Sequence, residues 1–173
     1  MRDKTLFLLY LSILTVLIFS SWSHAGSHMR GTEITSEEMT YTGTKNLIVF
    51  TGEVYVLRSD FELWSDKLYV YLKAGADQDP AAAGAGSDDN IEKIVAEGGV
   101  RIKGDGGREG RSELLTYYPD TEIVRLEEGP ILIEDRNTVE GEVIILNLKE
   151  NTSQVLGGDE KRVRVLFYSD ENE

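Results

Sequence analysis

Three pairs of adjacent acidic residues are the first candidates for chemistry in this sequence. They are Glu37-Glu38, Asp88-Asp89 and Glu127-Glu128, and two carboxyl groups that flank one sugar linkage are the groups that carry out glycoside hydrolysis. Neighbouring residues on a β-strand point to opposite faces, however, so two adjacent acids on a strand do not converge on one substrate. The pairs therefore favour solvated strand edges over a glycosidase site.

Histidine and cysteine offer little further chemistry. The chain contains two histidines, His24 and His28, and no cysteine. Both histidines precede the segments with a folded pattern, so neither a Ser-His-acid nucleophile nor a zinc site is supported. The glycine turn at 104–107 could suggest calcium binding, but a single copy without a periodic repeat is better explained as a hairpin loop. We therefore predict that the protein is not an enzyme and holds no metal or cofactor.

A short phrase that recurs four times points to the elements of the fold. Each copy has a small residue, then an acid and, two positions further on, an apolar residue. The copies begin at Ser36, Ser65, Ser112 and Gly141, at intervals of 29, 47 and 29 residues. Removing the 17-residue Ala- and Gly-rich run 74–90 shortens the middle interval to 30 residues. This common period predicts a stacked array of similar β units with one insertion.

A second phrase, which contains glycine, alternates with the first. It occurs at 50–56, 96–102 and 126–133, with a degraded copy at 155–158. Apolar and polar residues alternate with period two through these segments, which is typical of half-buried strands.

The apolar alternation changes parity at one of the small-acid phrases. Between Leu63 and Leu68, the apolar residues switch from odd to even positions. A strand that carries its inner face around a corner needs such a slip, because one extra residue reverses every following side chain. The small-acid phrase is therefore predicted to be a corner, with its acid facing outward.

The N-terminus predicts export. Arg2 and Lys4 precede an apolar stretch at 6–19, and Ser23-His24-Ala25 places small residues before a cleavage point. These are the parts of a signal peptide, which we predict to be removed after Ala25. A retained N-terminal anchor is the alternative, because the apolar stretch is only a few residues short of a spanning length.

The remaining chain is predicted to be one acidic domain. A short lead at 26–31 precedes a domain at 32–168, which contains the insertion 74–90 and is followed by an acidic tail at 169–173. The full chain has 18 basic and 31 acidic residues, and removing Arg2, Asp3 and Lys4 with the signal peptide leaves 16 and 30, a net charge of −14. Such a surface repels nucleic acid, so we expect no nucleic-acid partner.

Taken together, these segments resemble the OstA-like domain of the lipopolysaccharide export proteins, the family of LptA. The resemblance rests on residues 34–41, 46–56, 65–71, 94–102 and 161–166. It implies an all-β, open and twisted antiparallel β-jellyroll, folded over like a taco. It also implies a periplasmic bridge component that carries lipopolysaccharide from the inner to the outer membrane, with the lipid A acyl chains in an apolar groove.

The resemblance also implies which residues form the groove and which form the assembly edge. Large aromatic residues are expected to define the width of the groove. The expected groove residues are Ile34, Met39, Tyr41, Ile48, Phe50, Val54, Val56, Phe61, Leu63, Leu68, Val100, Ile102, Leu115, Tyr117, Val124, Leu126, Ile131, Ile133, Ile144 and Leu146. The expected edge residues, through which copies link end to end, are Thr32, Ile34, Val163, Val165 and Phe167.

The implied partners are lipopolysaccharide, other copies of the chain, and the OstA-like domains of the inner-membrane and outer-membrane export components. Three alternatives remain open at this point. A retained N-terminal segment would make the protein resemble the anchored LptC-type partner of the same system. A carbohydrate-binding or adhesive β-repeat would bind sugar without an apolar ligand, and a glycosidase would depend on one of its carboxylates.

Overall fold

The computed structural model describes residues 31–74, 88–104, 107–159 and 161–168 of the chain. Within these ranges the fold is all-β, with twelve strands and two short 3-10 turns at Gly43–Lys45 and Asp88–Asn90. The predicted fold class is thus confirmed. The strands are β1 (Glu33–Thr35), β2 (Glu38–Thr42), β3 (Leu47–Arg58), β4 (Phe61–Leu72), β5 (Ile91–Gly104), β6 (Arg108–Tyr118), β7 (Ile123–Glu127), β8 (Ile131–Glu134), β9 (Asn137–Glu140), β10 (Val143–Asn147), β11 (Thr152–Leu156) and β12 (Arg164–Leu166).

All of these strands pair antiparallel in one unclosed sheet that divides into two halves. Strands β3, β4, β5 and β6 are long and run through both halves. The first half-sheet has the order β2-β3-β4-β5-β6-β7-β10-β11, and the second has the order β1-β3-β4-β5-β6-β8-β9-β12. The chain therefore folds a single sheet over on itself, as a taco-like jellyroll requires.

The long strands turn from one half-sheet to the other at a common corner. The pairing register shifts between Thr51 and Val54 in β3, and comparable shifts follow in β4 and β5. Gly52 and Gly98 lie at these shifts with φ values of 82° and 80°, a backbone conformation that glycine adopts without steric cost. The two repeated phrases of the sequence therefore meet side by side along one corner, as the parity switch predicts.

The hydrophobic core lies between the inner faces of the two half-sheets. Leu68 and Leu115 come from the first half-sheet, while Val54, Leu63 and Val100 come from the second, and all five are buried. Each fully buried aliphatic side chain contributes about 1.5–3 kcal/mol to folding. Closure of the sheet over this core, rather than local propensity alone, stabilises the corner.

The connection between β4 and β5 lies where the sequence predicts an insertion. Leu72 pairs with Ile91, and the N–H of Lys73 donates to the carbonyl of Asn90 at 2.9 Å. Residues 75–87 of the predicted insertion, the predicted signal peptide at 1–25 and the predicted acidic tail at 169–173 lie outside the described residues. None of the described helices is long and apolar enough to cross a membrane.

Candidate functional site

A cavity of about 450 Å³ opens between the two half-sheets, at the strand ends farthest from the corner. Phe61, Ile102 and Leu132 line it from the second half-sheet, and Val124 and Leu146 line it from the first. We call this cavity the groove. These five side chains form an apolar wall because both half-sheets turn their inner faces toward the cavity, and the polar residues Asn147, Asn151, Thr152 and Ser153 complete the lining on the side of the first half-sheet.

Most of the predicted groove residues lie on these inner faces, in two groups. The first group is buried in the core and consists of Ile48, Val54, Val56, Leu63, Leu68, Val100, Leu115, Val124, Leu126 and Ile144. The second group is partly exposed and packs against that core; it consists of Ile34, Tyr41, Phe50, Phe61, Ile102, Tyr117 and Leu146. The four aromatic residues expected to define a groove are all in the second group. These partly exposed side chains are the ones that a ligand could reach.

Met39 is the most exposed of the predicted groove residues. It pairs with Phe50 on β3 and so shares the inner face, but 49% of its surface is exposed because β2 is the last strand on that side of the first half-sheet. It therefore lies at the open margin of the inner face rather than within the core.

Two of the predicted residues, Ile131 and Ile133, lie on the outer face, and their prediction as inner residues is wrong. They pair with Arg111 and Glu109 of β6, whereas Leu132 pairs with Gly110 and packs against the core. The reason is that inward-facing residues keep the same odd or even numbering before and after the glycine phrase. In β3 it leaves even-numbered residues inside on both sides of the corner, and the step from β7 to β8 follows the same rule.

Two glycines that hydropathy could not reveal set the shape of the groove. A Cβ on Gly110 would lie 3.1 Å from Cδ1 of Leu126, so the two half-sheets approach each other closely there. Gly104, in contrast, has no heavy atom of the described residues within 4 Å of the position of a Cβ. Pairing with Phe61 places Gly104 on the inner face, beside the mouth of the groove. In the sequence, these two glycines are marked only by their even-numbered positions, which they share with the inner residue Ile102.

Charged side chains lie at the mouth of this cavity, on the side of the second half-sheet. Arg108 and Glu134 both line it, with their Nε and Oε1 atoms 3.5 Å apart. Asp60 also lines it and binds the guanidinium of Arg58 through both carboxylate oxygens, at 2.6 and 2.8 Å. That guanidinium lies 4.6 Å from the ring centre of Phe61. An apolar interior with a charged rim suits a ligand that has an apolar tail and a polar head.

The edge residues predicted for assembly lie at opposite ends of the sheet. Ile34 is in β1, the first strand of the second half-sheet, and Thr32 directly precedes that strand. At the other end, Val165 in β12 pairs with β9, while Val163 and Phe167 flank β12. All three are exposed, Phe167 by 80%. β12 is therefore a terminal strand, with its outer edge unpaired in the described part of the chain.

The two ends of the sheet differ in charge. Glu33 and Glu38 are exposed on β1 and β2, whereas Arg162 and Arg164 are exposed at β12. A chain with an overall net charge of −13 thus has a basic strand at one end and acidic strands at the other.

The described residues contain no cluster of His, Asp and Glu that could hold a metal ion.

Residues 33–152 match the family described as "LptA/(LptD N-terminal domain) LPS transport protein". The chain belongs to this LPS transport family. The family resemblance inferred from the repeated phrases is thereby confirmed.

A solved structure shows the same architecture. The fold is similar to that of LptH, described as the LptA homologous periplasmic component of the lipopolysaccharide transport device from Pseudomonas aeruginosa. The TM-score is 0.65 at 12% sequence identity, and the match covers 81% of this chain and 96% of that one. At this identity the likeness establishes the fold alone. No curated protein sequence matches the chain.

Proposed function

We propose that this member of the LPS transport family carries lipopolysaccharide through the periplasm, with the acyl chains of the lipid in the groove. The observation that carries the proposal is the apolar cavity of about 450 Å³ between the half-sheets, with a charged rim at its mouth. Burial of about ten CH₂ groups would contribute roughly 8 kcal/mol. That is enough to hold a lipid chain while the sugar headgroup remains in water.

The proposed role is non-enzymatic and is that of a bridge. In the described part of the chain, the strands at both ends of the sheet have one unpaired edge, which can add a strand of another OstA-like domain, either from a second copy or from the inner-membrane and outer-membrane components. The opposite charges of the two ends favour one polarity of addition, in which the acidic end of one domain meets the basic end of the next. Lipid would then pass from groove to groove, from the inner to the outer membrane.

The groove is tested by filling its mouth. Gly104→Leu points a side chain from the inner face into open space, and Gly104 lacks the positive φ that would strain a larger residue there. Gly104→Ala is the matched control, because it makes the same backbone change but adds only one methyl group. We expect Gly104→Leu to weaken binding of fluorescent lipopolysaccharide by about tenfold or more, since it displaces acyl contacts, and Gly104→Ala to bind like the parent.

Equal binding by the two variants, with both folded by circular dichroism, would contradict the groove assignment.

The fate of the N-terminus is a separate question, because the apolar stretch at 6–19 also fits an anchored LptC-type partner of the same system. N-terminal sequencing of the exported protein decides it. A mature chain that begins at Gly26 supports the bridge, and a retained segment supports the anchored partner.

A further inference from the structure

Two arginines stand directly opposite each other on the outer face of the second half-sheet. Arg101 of β5 pairs with Arg111 of β6. Like charges at directly opposed positions of an antiparallel pair destabilise the sheet, because their Cβ atoms are only about 4.5–5.5 Å apart. Proteins break such local rules at functional or strained sites.

Each guanidinium of this pair is held in place by its neighbours. The Cζ atom of Arg101 lies 4.0 Å from the ring centre of Trp64, and the ring of Tyr55 supports Trp64 at a centroid distance of 5.3 Å. Nε of Arg111 donates to Oε1 of Glu109 at 2.6 Å. In the part of the chain that the structure describes, no carboxylate pairs with Arg101. Stacking orients an arginine without neutralising its charge.

The arginine pair borders a shallow depression on this outer face, which opens away from the groove. Its volume is about 580 Å³. Gly99 and Gly129 lie along it and have no side chains to fill it, and Glu113 and Glu128 line it together with the arginines. One oxygen of Glu113 accepts the N–H of Gly99 at 3.1 Å, which fixes the carboxylate in place. The depression therefore combines fixed cationic donors with anionic acceptors.

We propose that this depression binds a phosphorylated saccharide, with the phosphate between Arg101 and Arg111 and the sugar hydroxyls against Glu113 and Glu128. Planar guanidinium groups match the geometry of a phosphate and form charge-assisted hydrogen bonds with it. Carboxylates accept hydrogen bonds from hydroxyls but repel a bare phosphate, so the two walls together favour a sugar phosphate over an inorganic ion. The ligand could be a soluble sugar phosphate or the phosphorylated headgroup of a glycolipid.

Tryptophan fluorescence provides a local readout, because the chain has only two tryptophans, Trp22 and Trp64. In a Trp22→Phe background we would titrate the full chain with glucose 6-phosphate, glucose and inorganic phosphate. We expect saturable binding of glucose 6-phosphate that is weakened about tenfold or more by Arg101→Gln or Arg111→Gln. Lys149→Gln, which removes one exposed cation elsewhere, should leave it unchanged. Glucose should not bind measurably, and inorganic phosphate should bind more weakly than the sugar phosphate.

The stability of the unliganded protein separates a binding pair from a structural one. Arg111 also pairs with Glu109 at 2.6 Å, so Arg101→Gln is the variant that relieves the opposed charges without depriving a carboxylate of its partner. It should melt at a higher temperature than the parent while it binds glucose 6-phosphate more weakly. A lower melting temperature for Arg101→Gln would show that Arg101 serves folding and would overturn the proposal. Equal affinities for inorganic phosphate and glucose 6-phosphate, or no binding of either, would overturn it as well.

A binding experiment with lipopolysaccharide identifies the source of the sugar phosphate. Lipopolysaccharide would be added to the Gly104→Leu protein, in which the groove is filled, and to the double variant that also carries Arg101→Gln. Binding that is lost with Arg101→Gln supports a glycolipid headgroup as the ligand. If lipopolysaccharide does not bind but glucose 6-phosphate does, a soluble sugar phosphate is supported. Because these readouts do not require the groove, failure of the outer site is distinguishable from failure of lipid carriage.

Discussion

The side chain of Asp66 occupies the space that a side chain on Gly98 would need. A Cβ on Gly98 would lie 2.9 Å from Cβ and Cγ of Asp66 and closer still to one of its carboxylate oxygens. Glu37 has the same relationship to Gly52 on the neighbouring strand. Each acid of these small-acid phrases thus lies over the glycine of an adjacent glycine phrase. The two repeated phrases are complementary parts of one corner.

Alanine substitution at the paired glycines tests this relationship. Gly98→Ala meets both the backbone strain of φ +80° and the side chain of Asp66, whereas Gly99→Ala meets only the strain of φ +52°, since no heavy atom lies within 4 Å. We expect Gly99→Ala to lower the free energy of unfolding by about 1–2 kcal/mol, and Gly98→Ala to lower it by more. Urea denaturation measures both. The addition of Asp66→Ala should recover part of the loss in Gly98→Ala, and equal losses in the two single variants would contradict the packing.

A charge on the inner face should affect lipid before it affects the fold. Phe50 is partly exposed and packs against the core, so Phe50→Glu places an unpaired carboxylate among apolar walls, where burial is strongly unfavourable. We expect fluorescent lipid capture to fall about tenfold or more. Thr51→Glu is the control, because the neighbouring residue of the same strand faces outward. Similar lipid capture by the two folded variants would refute an apolar ligand in this position.

The change of face between β7 and β8 gives a comparison of two adjacent residues. Leu132 lines the groove, whereas Ile133 pairs with Glu109 on the outer face. Leu132→Lys should therefore weaken lipid binding about tenfold or more, and Ile133→Lys should leave it unchanged. The measurement is lipid displacement with both proteins at equal folded concentration. The reverse order of effects would restore the original prediction that Ile133 lines the groove.

Most of the architecture follows from the sequence because its periodicities are geometric. Across the small-acid phrase, the inward-facing residues switch from odd to even positions. As a result, Leu63 and Leu68, which lie on opposite sides of one corner, are both buried. The glycine phrase preserves parity, as Ile48 and Val54 show in β3. From Leu126 onward, the same rule places Leu132 on the inner face. The branched side chains of Ile131 and Ile133 fit a strand on either face, so hydropathy alone wrongly predicts that these two residues face inward.

The functional details were less predictable because they depend on contacts between strands distant in sequence. Arg101 and Arg111 are unremarkable as single residues, and only the register of β5 with β6 opposes their charges. Gly104 and Gly110 carry no hydrophobic signal at all. Their importance lies in the space that they leave, which becomes visible only when the second half-sheet closes over the first.

The opposite charges at the two ends of the sheet should make assembly directional and dependent on salt. We expect the mass measured by light scattering to grow with concentration, and to grow less at high ionic strength because screening weakens the attraction between ends. Arg162→Glu with Arg164→Glu should abolish this growth, and so should Glu33→Lys with Glu38→Lys. A mixture of the two charge-reversed proteins should grow again as alternating chains, since one protein then has two acidic ends and the other has two basic ends. Lipid binding should persist in both, because all four residues lie at the ends of the sheet rather than around the groove. A parent protein that stays monomeric at high concentration would eliminate self-assembly and leave only assembly with partner domains. Growth in mass that persists in both charge-reversed proteins would show that backbone pairing alone joins the ends.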